Sequence, residues 1–249
     1  MGERLPLGGV VSVRVVVRTV SELCITVGML IVLFVVYVLF WTGVKADTAM
    51  DDQIAMLQDQ WARGPVATGS PAPGPSAAAG PDEPEGPGRT GPYRDGKPFA
   101  VMYVPRLGSS WHKPVLEGTR TGTLKKGLGH YAHTARLGER GNFAVAGHRR
   151  TYGDPFKDFP RLRPGDAVVL TDGTTWFTYR VDSKPYRTTP RDTAVVDPVP
   201  RKSGYTRPGR YLTLTTCEPE WGHSHRLIVW AHLDGTQPVE AGKPEALRR

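Results

Sequence analysis

A cysteine closes a threonine-rich run, Tyr211-Leu212-Thr213-Leu214-Thr215-Thr216-Cys217. An arginine follows nine residues later, at Arg226, and a histidine stands upstream in Ala146-Gly147-His148-Arg149. A thiol, an imidazole and a guanidinium are the parts of a nucleophilic acyl transfer. The thiolate attacks a carbonyl, the imidazole takes the thiol proton and returns it to a leaving amine, and the guanidinium holds the developing oxyanion. The chain has only two cysteines, and the other, Cys24, lies in an apolar N-terminal run, so Cys217 has no plausible intrachain partner. An unpaired cysteine in a domain outside the cytoplasm is a candidate nucleophile. Taken singly, each residue has a plainer reading: Cys217 as a buried structural thiol, His148 as a hydrogen-bonded scaffold residue, Arg226 as a surface ion-pair partner. The conjunction of the three favours chemistry. Glu218 directly follows Cys217 and Glu220 is near. A carboxylate aimed at the thiol would disfavour the thiolate; one pointing away would not.

These residues need strands to position them. Alternation along Arg210–Cys217 places Leu212 and Leu214 on one face and Thr213, Thr215 and Cys217 on the other. With the next strand opening near Arg226, a hairpin with the loop Glu218–His225 sets Cys217 and Arg226 at one rim. His148 ends a small apolar strand, where Gly147 allows close backbone approach. The pattern predicts eight short strands: Phe99–Val104, His112–Glu117, Asn142–Ala146, Ala167–Thr171, Trp176–Val181, Thr193–Val196, Arg210–Thr216 and Leu227–Leu233. Asp172-Gly173 is a hairpin signal. Helix is expected only at Asp154–Leu162, opened by Pro155, and in a turn or two near Tyr131–Leu137. Many short strands at regular spacing mean an all-β sandwich or barrel. The Pro-bearing stretch Pro185–Gly209, ahead of the cysteine strand, suits the wall of a peptide groove.

The N-terminal part reads differently. Leu23–Trp41 is 19 residues without a charge, about the length that spans a bilayer's hydrocarbon core. It is too long for the apolar segment of a cleaved leader. Arg4, Arg14 and Arg18 precede it, whereas Lys45 stands alone before Asp47, Asp51 and Asp52. The basic side belongs in the cytoplasm and the rest of the chain outside. Met50, Ile54, Leu57 and Trp61 then mark one face of a helix. Residues 64–98 hold 9 Pro and 8 Gly among 35, a composition that cannot bury enough apolar surface to order itself. The expected organisation is a cytoplasmic tail (1–22), a transmembrane helix (23–41), a juxtamembrane helical stalk (42–63), a linker (64–98), a folded domain (99–234) and a C-terminal tail (235–249). The net charge of +8 divides into +11 for residues 96–249 (25 basic, 14 acidic) and −3 for the remainder (7 basic, 10 acidic). A basic external domain suggests long-range attraction to anionic wall polymers or headgroups, and the plainer reading is a solvated basic surface. Nucleic acid is not expected as a partner, since the anchor faces the wrong compartment and no recognition motif is present.

Thr213-Leu214-Thr215-Thr216-Cys217 followed by Arg226 resembles the cysteine signature of sortases, and Asn142 to Phe156 resembles the segment around their histidine. Gly127-Leu128-Gly129-His130-Tyr131 and Gly165-Asp166 fit as well. The details are most similar to class E sortases of high-G+C Gram-positive bacteria, and the likeness covers the whole 99–234 region in order. It implies a closed eight-stranded β-barrel and a membrane-anchored cysteine transpeptidase. Such an enzyme cleaves a C-terminal sorting motif of the Leu-Ala-x-Thr-Gly or Leu-Pro-x-Thr-Gly type between Thr and Gly. It passes the acyl group to an amine of a cell-wall precursor. By motif, His148, Cys217 and Arg226 match the family triad, and Thr215, Thr216 and Tyr131 fall among the substrate-binding positions. The partners implied are secreted proteins with a C-terminal sorting signal and a peptidoglycan-precursor amine; no cofactor or metal is implied. Three rivals remain. An L,D-transpeptidase would need a Ser-x-Gly-Cys type motif that Thr215-Thr216-Cys217-Glu218 lacks. A metal-stabilised module would use Cys217, His223 and His225, which fit zinc spacings only loosely. The third is a non-catalytic wall-binding domain.

Overall fold

The computed structural model describes residues 13–63 and 92–248. The expected linker lies mostly outside the described residues, as does most of the expected cytoplasmic tail. The described chain divides into two compact units, up to Thr42 and from Gly43 onward. Helix α1, Val13–Ala62, supplies residues to both. In the first unit, Val13–Tyr37 is 25 exposed residues containing an 18-residue window of mean hydropathy 2.4, long and apolar enough to cross a membrane. The helix begins upstream of the expected Leu23 and takes in Arg14 and Arg18.

In the second unit, the α1 face marked by its periodicity is packed on the barrel. Ile54 and Leu57 are buried with Val101, and Trp61 and Tyr103 close the cluster. Lys113 Nζ meets Asp47 Oδ1 at 3.0 Å. Met50 is also buried. It sits close to Gly153, where a Cβ would meet Met50 Cε at 3.2 Å and Asp47 Oδ1 at 2.8 Å. The apolar stripe therefore finds its partner in the domain itself, which removes the need for a second helix or a membrane surface to cover it.

Nine strands follow among the described residues. They are β1 Pro98–Tyr103, β2 His112–Glu117, β3 Leu128–His130, β4 Gly141–Ala146, β5 Ala167–Thr171, β6 Thr175–Val181, β7 Tyr186–Thr188, β8 Arg210–Glu218 and β9 His225–Pro238. Eight of them close a ring in the order β6-β5-β1-β2-β3-β4-β8-β9, with β9 pairing back to β6; β7 adds to the other end of β9. Closure leaves the ring without an unpaired edge. The pairings β2–β3 and β4–β8 are parallel, so each needs a crossover rather than a hairpin. Leu212, Leu214, Val229, Met102, Phe143 and Phe156 are among the side chains that fill the interior.

Several local expectations fail. The expected C-terminal tail and linker both give residues to the sheet: β9 continues to Pro238, its last residues paired with Thr175–Thr178 of β6, and Pro98 opens β1. Thr193–Val196 is a 3-10 turn, not a strand, and the ring is completed by β3 instead. Val195 packs on Ile228 and Trp230, outside the main core, and its carbonyl accepts the Trp230 indole N–H at 3.0 Å. The apolar run thus anchors the β7–β8 connection onto the barrel's outer face rather than joining the sheet. Asp154–Leu162 is not an α-helix either; only Phe159–Arg161 takes a 3-10 turn. Thr151, Tyr152 and Asp154 all have positive φ, which a right-handed helix excludes. The segment instead folds back, Phe156 N–H reaching His148 O at 3.0 Å, so that Phe156 and Phe159 enter the core.

Candidate active site

Strand β8 carries the cysteine and sets its facing. Thr213 pairs with Trp230, Thr215 with Ile228 and Cys217 with Arg226 across the antiparallel β8–β9 ladder. Directly opposite residues point to the same face, with Cβ atoms about 4.5–5.5 Å apart. Cys217 and Arg226 are therefore immediate neighbours, and the hairpin is tighter than expected: both strands extend by a residue, and Glu218 pairs with His225. Thr188 of β7 lies opposite Arg226 on its other side. Cys217 is half-buried and reduced. Arg226 Nη1 donates to His223 O at 3.0 Å and to His225 O at 2.9 Å. Among the described residues no carboxylate neutralises it. Carbonyls fix this guanidinium without consuming its charge, as anion recognition requires.

The parallel β4–β8 pairing brings the histidine to the same rim. Ala146 pairs with Thr215, and Gly147 N–H continues the ladder to Thr215 O at 3.0 Å. Thr216 Oγ1 donates to Gly147 O at 2.8 Å. His148 follows, partly buried, its ring 5.2 Å from that of Tyr152. Lys125 Nζ lies 5.1 Å from the Tyr152 ring centroid. Burial, and then the charge of Lys125, hold the imidazole below its ordinary range. His148 is thus largely neutral at pH 7 and able to accept a proton.

Of the other residues singled out in the sequence, Tyr131 and Thr215 meet on the Cys217 side of β8, Tyr131 Oη lying 3.0 Å from Thr215 Oγ1. Thr216 is turned to the opposite face and buried, where its hydroxyl holds the strand that leads into His148. His225 Nδ1 lies 3.1 Å from Arg187 Nη2 and 3.0 Å from Ser224 Oγ. Cys217, His223 and His225 form no metal-binding cluster among the described residues.

The orientation of Glu218 is now defined. It leaves β8 on the side opposite Cys217 and forms an ion pair with Arg149, Nη1 against Oε2. Glu220 pairs in the same way with Arg150 Nη2, and Arg150 Nη1 also donates to Asp154 Oδ2 at 3.1 Å. From the sequence alone the two glutamates are only neighbours of the thiol, and the two arginines have no assigned partner. The available signal was the matched charge pattern: two cations after the histidine, two anions after the cysteine.

The chain is similar to known proteins in both sequence and fold. The sortase domain model matches residues 102–234. Sortase SrtE1 of Streptomyces coelicolor is 37% identical over 237 residues, covering 92% of this chain, while this chain spans 60% of that relative's length. The solved structure of sortase E from Streptomyces avermitilis is 79% identical, with a TM-score of 0.60, covering 63% of this chain and 100% of that one. The crystal structure of sortase E1 from S. coelicolor with a tripeptide in its active site is 39% identical, with a TM-score of 0.58, covering 61% of this chain and 97% of that one. The domain match runs from β1 into β9, across more than half of the chain, and takes in the strands of the closed ring. The chain therefore belongs to the sortase family, in the company of sortases of the E type.

Proposed function

We propose that this protein is a membrane-anchored cysteine transpeptidase in which Cys217 is the nucleophile, His148 the proton-transfer partner and Arg226 the oxyanion or substrate clamp. The observation that carries the reading is the in-register pairing of Cys217 with Arg226, at the rim to which β4 delivers His148. The Cys217 thiol gives its proton to the neutral imidazole, and the thiolate attacks the Thr carbonyl of a Leu-Ala-x-Thr-Gly or Leu-Pro-x-Thr-Gly motif. As the Thr–Gly C–N bond breaks, His148 returns the proton to the leaving glycine amine, and the acyl group stays on Cys217 as a thioester. A cell-wall precursor amine then attacks that thioester, giving its proton to His148 while the thiolate leaves. Arg226, fixed by two carbonyls, faces the oxyanion at both stages. Tyr131 and Thr215 line the approach on the same face. That a related sortase E1 holds a tripeptide in its active site supports a peptide as the occupant here.

The chain's layout fits that role, with the apolar part of α1 as the anchor, the N-terminus in the cytoplasm, the Pro/Gly-rich stretch ahead of the barrel as a linker and the barrel outside. Mass spectrometry of the enzyme mixed with each sorting peptide should detect the Cys217 acyl-enzyme. Cys217→Ala should abolish it. His148→Ala should lose about 10²–10⁴ in turnover, and Arg226→Lys about 10²–10³, since a point charge does not replace a planar fork. His223→Ala and His225→Ala should be mild. Transfer by Cys217→Ala, or a larger loss from His223→Ala than from His148→Ala, would overturn the assignment.

A further inference from the structure

The ion pairs behind the rim do work that their exposure alone would not suggest. Arg149 is the residue after His148, and Glu218 is the residue after Cys217. The Arg149 side chain is only 9% exposed and that of Glu218 24% exposed. A charge buried as deeply as that of Arg149 is tolerated only with a partner, and the half-buried Glu218 supplies it. The pair lies on the opposite side of β8 from the thiol and joins the two segments that carry the reacting groups. A second pair, Arg150 with Glu220, repeats the connection one step further out. Arg150 is held in turn by Asp154 and lies over the Trp221 ring, its guanidinium carbon 4.6 Å from the centroid.

Between β4 and the return of Phe156 to the core, the histidine segment has little regular structure to hold it. It passes through positive φ at Thr151, Tyr152 and Asp154, and its backbone ladder to β8 ends at Gly147. The hydrogen bond from Phe156 N–H to His148 O closes the segment on itself without fixing it to the nucleophile strand. Beyond Gly147, the side-chain ion pairs are what tie it to β8 and the β8–β9 loop. Resting on the proposed roles of Cys217 and His148, we propose that Arg149 and Glu218 are positioning residues, a strut that sets the placement of the imidazole relative to the thiol, with Arg150–Glu220 as its outer brace.

Replacing both ends by leucine tests this. A buried ion pair exchanged for apolar side chains commonly leaves stability unchanged or higher, whereas removing the geometric link misplaces the reacting groups, and about 1 Å of misplacement can cost about 10²-fold in rate. Glu218→Leu alone should lower the melting temperature, because it strands the buried Arg149 guanidinium. Adding Arg149→Leu should restore the melting temperature but leave kcat about 10–100-fold below wild type, with KM for the sorting peptide within about twofold. A double leucine variant that folds and turns over at the wild-type rate would overturn the proposal. Should that variant not fold, the exchanged pair Arg149→Glu with Glu218→Arg decides: its kcat should exceed that of either single change by about tenfold, and no recovery counts against the strut. These outcomes stand apart from failure of the catalytic reading, in which the wild-type protein itself would form no acyl-enzyme.

Discussion

Gly147 offers a direct test of how closely the histidine segment is fitted to the core. A Cβ at this position would lie 2.5 Å from Phe156 Cδ2, 2.7 Å from Leu128 Cδ2 and 2.7 Å from Phe156 Cε2. Neither neighbour has room to withdraw. Both are fully buried, and Phe156 is stacked on Trp111 at 6.1 Å and edge-on to Phe159 at 5.3 Å. The glycine backbone is held as well, its N–H by Thr215 O and its carbonyl by the Thr216 hydroxyl. Moving a 2.5 Å approach out to the 3.4 Å edge of ordinary contact takes 0.9 Å, shared between Phe156 and the chain entering His148. Overpacking of this kind costs about 1–3 kcal/mol. For a domain of this size each kcal/mol lowers the melting temperature by about 2–4 °C, so Gly147→Ala should melt about 2–12 °C lower. Displacement of His148 by a good fraction of an ångström should reduce kcat about 10–100-fold. Calorimetry and a peptide-cleavage assay read the two effects. Gly122, in the short helix α2 Thr121–Leu124, has nothing within 4 Å of its added Cβ, so Gly122→Ala should be neutral or slightly stabilising. Wild-type melting and turnover in Gly147→Ala, or equal losses in both variants, would refute the reasoning.

Because burial and Lys125 hold the His148 pKa below its ordinary 6.5, the fold favours the neutral ring. The stability this contributes is present above about pH 6.5 and is lost as the pH falls through the lower folded value. Lys125→Met should move the NMR titration midpoint of His148 upward, and an unmoved midpoint would remove Lys125 as a cause. Leu57→Asp puts a charge among Ile54, Leu57 and Val101. Residues 46–61 should lose hydrogen-exchange protection while the barrel keeps its strand signal, and undiminished protection would show that the helix is not held by this face. Protease added to intact protoplasts should release the folded domain by cutting within 64–98; a protected domain would contradict the proposed orientation.

Most strands were legible as short runs of strand-forming residues bounded by turn signals. His112–Glu117 and Ala167–Thr171 have the bounds that their composition indicated. The neighbourhood of Cys217 and Arg226 was legible because two strands, a short loop and parity of position are enough to put both at one rim. Strand β3 escaped because it is only three residues long, Leu128-Gly129-His130, too short for a pattern to show. Thr193–Val196 misled because an apolar run of that length signals burial but not the shape of the backbone that achieves it.

The sequence by itself thus determined the residue types for acyl transfer, the all-β class of the domain and the apolar helix ahead of it, each carried by local pattern. Only the tertiary structure decided what depends on distant segments meeting. The parallel pairing of β4 with β8 joins positions about 70 residues apart, and no local rule encodes that register. Glu218 faces Arg149 rather than the thiol because alternation turns it to the far side of β8, where β4 has delivered a buried guanidinium. The helical face of Met50, Ile54 and Leu57 was visible as a stripe, but its partner was not. An amphipathic period states that a face must be covered, and what covers it is settled only when the barrel surface at Val101 is in place.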